Sequence, residues 1–105
     1  MSRFKKLSQT IWHCHYHIVW VPKYRFRVLK GEVAQETEKC IRTFSEQKSC
    51  EIVELNVQID HVHLLVFIPP KVSVSGYVGT VKGRTAIRVL NKFRKLKEKP
   101  YWGNH

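Results

Sequence analysis

Acidic residues are scarce in this chain of 105 residues: eight Asp and Glu stand against 19 Lys and Arg, giving a formal charge of +11. The shortage is also local. Residues 1–30 hold seven bases and no acid, residues 31–60 hold seven acids and three bases, and residues 82–99 hold eight bases with Glu98 alone. Two basic blocks around an acidic one predict a polarised surface with one side turned to a polyanion, nucleic acid before all others. A membrane surface fits less well, because the basic segments lack an amphipathic anchor.

Cysteine is sparse too. Cys14, Cys40 and Cys50 form no CxxC pair and leave one unmatched, which argues against a disulfide framework or a four-thiolate zinc site and for a reducing compartment. No apolar stretch approaches the ~20 residues of a membrane span, and "MSRFKKLSQT" lacks the apolar segment of a secretion signal. A cytoplasmic protein without membrane contact is expected. Repeats, low-complexity tracts and dividing linkers are missing as well, so residues 1–105 are read as a single domain. With 43% apolar residues, such a domain can bury roughly two thirds of its unfolded surface without staples.

What is present follows a β-α-β-β-α order. "WHCHYHIVWV", residues 12–21, alternates as a strand, with Trp12, Cys14, Tyr16, Ile18 and Trp20 on one face and His13, His15, His17, Val19 and Val21 on the other. Pro22 closes it. From Gly31 to about Ser49, Val33, Thr37, Cys40, Ile41 and Phe44 recur at helical spacing with no internal Gly or Pro. "EIVELNV" reads as a second strand, and 56–61 covers its junction with a third over 62–68. In that third strand Val62, Leu64, Val66 and Ile68 face the helices, while His61, His63, Leu65 and Phe67 face away.

Ser73, or else Ser75, caps a second helix whose buried side carries Val74, Val78, Val81, Val89, Leu90 and Phe93. Arg84, Arg88, Lys92 and Lys95 make a basic stripe along it, and Gly76, Gly79 and Gly83 weaken its first turns. The order predicts an α+β sandwich of ferredoxin-like or RRM-like type, with an antiparallel-rich sheet, helices on one face and the other face open to ligands.

"IDHVHLLVFIPP", residues 59–70, puts two histidines on that open face. Side chains two apart on a strand share a face with Cα atoms about 6.5–7 Å apart, so His61 and His63 can converge on one ion held by a rigid element. Alternate histidines on a solvated strand face are also common polar fillers, and two ligands leave a metal site incomplete.

Several segments in order and spacing, "YHIVWVPKYRFRVL" (16–29), "IDHVHLLVFIPP" (59–70), "SVSGYVGTVKGR" (73–84) and "YWGNH" (101–105), resemble the single-tyrosine transposases of the IS-two-hundred/IS-six-hundred-five insertion sequences. These belong to the HUH superfamily of single-strand nucleases, and the likeness runs from about residue 10 to the end. It implies that His61 and His63 hold a divalent metal, magnesium or manganese, which polarises the scissile phosphate of single-stranded or hairpin DNA. A tyrosine then attacks and keeps the 5′ side as a phosphotyrosine, within a homodimer with a composite active site.

In the family the chain continues past the "YWGNH" segment into a helix that carries the nucleophilic tyrosine and a further polar metal ligand; here it stops at His105. Tyr101, Tyr16, Tyr24 and Tyr77 do not align with the nucleophile. The expectation is a truncated transposase that binds DNA without a catalytic residue of its own. Lys23, Tyr24, Arg25 and Arg27 after the first strand, with Lys82, Arg84 and Arg88 on the second helix, are the expected DNA contacts, the bases pairing phosphates and Tyr24 stacking on an unpaired base.

Two alternatives stay open. One is a non-catalytic RNA- or DNA-binding regulatory module of the same fold. The other is a zinc site in which His15 or His17 joins His61 and His63 across adjacent strands.

Overall fold

The structure, a computed structural model, describes residues 14–22 and 29–96. Its elements are β1 (His15–Trp20), α1 (Gly31–Gln47), β2 (Glu51–Val57), β3 (Val62–Phe67), α2 (Val74–Lys92) and a closing 3₁₀ turn, Arg94–Leu96. The sheet order is β1-β3-β2, with β3 antiparallel to both neighbours. β1 and β2 are therefore parallel to each other and need the long crossover that α1 supplies, while β2 and β3 need only a short turn. The α+β sandwich expected from the element order is the one formed, and all three cysteines are free and buried.

β3 sits at the centre because its apolar side chains alternate without a break. Val62, Leu64, Val66 and Ile68 are all at most 1% exposed, under Ile41 of α1 and Val81 and Val89 of α2. β2 cannot pair with it on strict alternation, since Ile52 and Leu55 differ in parity yet both pack on the core. A bulge at Val53 resolves the conflict: Ile52 pairs with Val66 and Glu54 with Leu65, so Leu55 and Val57 turn inward while Glu54 and Asn56 turn to the open face.

The two helices are joined by polar contacts inside the apolar layer. Ser45 of α1 and Tyr77 of α2 share a buried 2.7 Å hydrogen bond. Glu36 accepts from Lys92 at 2.9 Å and from the Cys40 thiol at 3.5 Å. The Lys92 contact holds the Glu36 carboxyl below its usual range despite its burial, and burial pushes the Cys40 thiol up to about 11. α1 closes with Ser49 in the left-handed region (φ 60), its amide donating to Glu46 and the Cys50 amide to Ser45, the paired bonds of a Schellman stop. Ser73 caps α2 by accepting from the Gly76 amide at 3.1 Å, while Ser75 only meets the Ser73 hydroxyl.

Gly79 and Gly83 lie inside α2, and a Cβ at either would meet nothing within 4 Å. Neither position needs glycine for its own conformation, and each forgoes helix propensity. Gly79→Ala and Gly83→Ala are expected to stabilise the domain by about 0.5–1 kcal/mol each, read from urea midpoints at unchanged slope. An unchanged or lower midpoint would show an unseen packing requirement at these positions.

Candidate metal and nucleic-acid site

The open face of the sheet is built from alternate residues of all three strands. His17 and Val19 come from β1, His63, Leu65 and Phe67 from β3, and Glu54 and Asn56 from β2. His61 stands just ahead of β3, where its carbonyl accepts from the Gln58 amide at 2.8 Å and closes the β2–β3 turn. The His61 and His63 rings lie 5.5 Å apart at 66°, each half-buried. Two rings so placed can each turn a nitrogen toward a common ion. His17 stands edge-on to His63 at 5.4 Å, and a shallow recess of ≈ 200 Å³ opens between His17, Glu54, Asn56 and His63.

Asp60 adds a feature that sequence reading missed. Its Oδ1 lies 2.8 Å from His61 Nδ1. A carboxylate accepts only, so Nδ1 carries the proton and the lone pair of a neutral ring sits on Nε2. This is the carboxylate support that usually orients a metal-binding imidazole. An acid directly before His61 marks the position in the sequence, but only the turn brings its carboxylate onto Nδ1.

Among the described residues no group of three His, Cys, Asp or Glu side chains is placed to hold an ion. The trihistidine zinc alternative is therefore not formed. His15 packs against Phe67 at 5.7 Å, away from the pair, and His17 offers His63 an edge-to-face ring contact. Among the described residues two imidazoles leave the other coordination positions open, and an imidazole pair suits manganese better than the oxygen-preferring magnesium.

The expected DNA contacts divide. Lys23, Tyr24, Arg25 and Arg27 lie outside the described residues, as do Tyr101 and the rest of "YWGNH". Arg84 and Arg88 are brought together: their guanidinium groups lie 5.9 and 5.5 Å over the ring of Phe44 on α1, which pre-orients two planar cations along one side of α2. Lys82 is not with them. It lies on the opposite flank of the helix, beside Gly83, Ala86 and the end of β1. The predicted stripe also ends early, since Lys92 is engaged with Glu36 and Lys95 falls in the 3₁₀ turn beyond α2.

Neither described tyrosine faces the histidines. Tyr16 packs against the core from the helix side of β1, and Tyr77 is buried with its hydroxyl paired to Ser45 and its pKa raised by burial.

The family model described as "Transposase IS200 like" matches residues 10–105. The chain belongs to the IS200-like transposases. The transposase of insertion sequence element IS200 from Salmonella typhimurium is 40% identical over 99 residues, covering 94% of this chain and 65% of the relative. The ISDra2 transposase TnpA of Deinococcus radiodurans is 36% identical over 100 residues, covering 95% and 71%. A crystal structure of a Deinococcus radiodurans protein assigned as a transposase aligns with a TM-score of 0.77 at 38% identity, over 85% of this chain and 68% of that one. This transposase chain thus spans about two thirds of the length of the relatives it matches. No described helix is long and apolar enough to cross a membrane.

Proposed function

We propose that these residues form the DNA-binding and metal-holding part of an insertion-sequence transposase that acts on hairpin-bearing single-stranded DNA in the cytoplasm as a homodimer. The observation that carries the reading is the His61–His63 pair on a sheet face that no described helix covers, with Asp60 beside His61, in a chain of this family. A divalent ion bound between these rings would neutralise charge on a scissile phosphate. Asp60 leaves the His61 lone pair on Nε2, and β3 holds His63 while the hydrogen-bonded β2–β3 turn holds His61 just ahead of it. The basic surface supplies phosphate pairing and attraction to the polyanion.

Cutting needs a nucleophile, and Tyr16 and Tyr77 are turned into the helix layer. In this reading the chain binds and does not cleave unless a tyrosine is supplied from outside the described residues. A covalent tyrosine–DNA adduct on Tyr16 or Tyr77 after incubation with manganese and a hairpin oligonucleotide would overturn that half of the proposal. Dimerisation fits a sheet whose outer strands, β1 and β2, both have an edge left unpaired by the described residues.

The metal half is tested by titrating manganese, followed by the loss of its free-ion electron paramagnetic resonance signal, in the presence of hairpin DNA. The wild-type chain is expected to take up about one ion at the imidazole pair. His61→Ala with His63→Ala should abolish the uptake and change stability by no more than about 0.5 kcal/mol, because both rings are partly solvated. Equal uptake by wild type and variant would remove the pair from the site. Matched RNA competing as well as DNA would favour the regulatory-module alternative.

A further inference from the structure

Beyond the histidine pair, one flank of α2 holds a cavity that neither the metal site nor the Arg84–Arg88 surface uses. It measures ≈ 290 Å³ and is walled by Trp20, Val21 and Pro22 at the end of β1, Thr37 of α1, and Lys82, Gly83, Thr85 and Ala86 of α2. That is near the lower end of small-molecule sites, roughly 300–1,000 Å³, and suits one ring system. Thr85 is 3% exposed, and its Oγ1 is the one buried side-chain oxygen or nitrogen among the described residues without a hydrogen-bond partner. A buried hydroxyl is rarely left so unless something supplies the partner. Threonine has two χ1 wells in a helix, so one rotation can present the hydroxyl to an occupant.

Two independent features say what approaches. Lys82, Gly83 and Ala86 follow one another at helical spacing along the rim, so it carries little side-chain bulk except for one cation. Among the described residues nothing fills the space over Gly83. Such a bare rim admits a backbone closely, and Lys82 beside it offers a phosphate partner. The register places the cavity at the same end of the sheet as the histidine pair but on its helix side: Trp20 pairs with the core-facing Val62, the residue between His61 and His63, so a strand that reaches both rounds the end of β1.

We infer that this cavity takes an unpaired nucleobase from the single-stranded segment that crosses the histidine pair. Trp20 and Pro22 supply apolar contact, Thr85 a hydrogen bond to the base edge, and Lys82 a pairing to the adjoining phosphate. The inference rests on the DNA-binding reading above and adds to it a point of base recognition away from the metal. Held there, the base would fix which phosphodiester lies over His61 and His63.

The test walks an abasic site, one nucleotide at a time, along the single-stranded flank of a hairpin oligonucleotide and measures affinity by fluorescence anisotropy. One position is expected to lose about tenfold on abasic substitution, the size of a stacked base. Gly83→Leu, whose Cβ meets no neighbour, should fill the cavity and erase that positional penalty while the salt dependence stays unchanged. Thr85→Val, which keeps the shape and removes the hydroxyl, should shrink the penalty and flatten base preference at the same nucleotide, so the outcome does not depend on the leucine variant folding. A flat abasic scan with normal salt dependence would overturn the base site and leave DNA binding standing. Failure of the wild-type chain to bind any oligonucleotide would overturn both.

Discussion

Replacing Lys82, Arg84 and Arg88 together with alanine is expected to weaken binding to single-stranded DNA by about two orders of magnitude near 0.1 M salt and to lower the salt slope by about 2. The estimate follows from counterion release, with each phosphate pairing on a single strand contributing about 0.7 to the slope of log K against log salt. The three cations sit on two flanks of α2, so their contributions should separate. Arg84→Ala with Arg88→Ala should remove most of the slope change, because these guanidinium groups are already oriented over Phe44 and lose little freedom on binding a phosphate. Lys82→Ala should act alone and additively, being far from their shared ring. A slope unchanged in the triple variant would take this helix out of the interface and leave the charge to act through the remaining bases.

The second large effect concerns folding. Tyr77→Ala is expected to destabilise the domain by about 3–5 kcal/mol, the range for truncating a buried aromatic, out of the roughly 5–15 kcal/mol typical of whole domains. Tyr77 is 1% exposed and lies between α2 and the sheet, next to Val81, Leu64 and Ile18. Tyr77→Phe keeps the ring and deletes the hydroxyl, which strands the Ser45 hydroxyl in the buried layer between the helices. Its cost should be about 1–3 kcal/mol, that of one unsatisfied buried hydroxyl. Chemical denaturation gives both numbers. A cost for Tyr77→Phe near zero would show that Ser45 finds another partner. DNA affinity at equal folded fraction should be unchanged in Tyr77→Phe, as expected of a tyrosine with a packing role.

How much of this was legible beforehand differs by element. β3 was readable to within one residue, 62–68 against the observed Val62–Phe67, because an unbroken apolar alternation admits one register with the core. The N-cap of α2 was readable as Ser73 because a serine ahead of an apolar-periodic run has a local reason to sit there. β2 was readable as a strand. Its bulge was signalled only by the parity break between Ile52 and Leu55, and locating it required the partner strand. The buried line of α2 was incomplete: Val81 and Val89 left a gap that helical spacing fills at position 85, but a threonine there does not announce burial. Of the candidate site, the histidine pair was legible and Asp60's support of His61 was not, since that contact depends on how the β2–β3 turn orients two adjacent side chains.

By itself the sequence determined the charge segregation, the order of elements, the face on which His61 and His63 project and the family resemblance, because each depends on residue type and on the short repeats of strand and helix. The tertiary structure alone decided that Arg84 and Arg88 gather over Phe44 while Lys82 stands apart, that Lys92 is tied to Glu36, and that the Thr85 hydroxyl is left beside a cavity at the end of β1. These are relations between side chains far apart in the chain, and only the packing of α1 on α2 over the sheet sets the distances that create them.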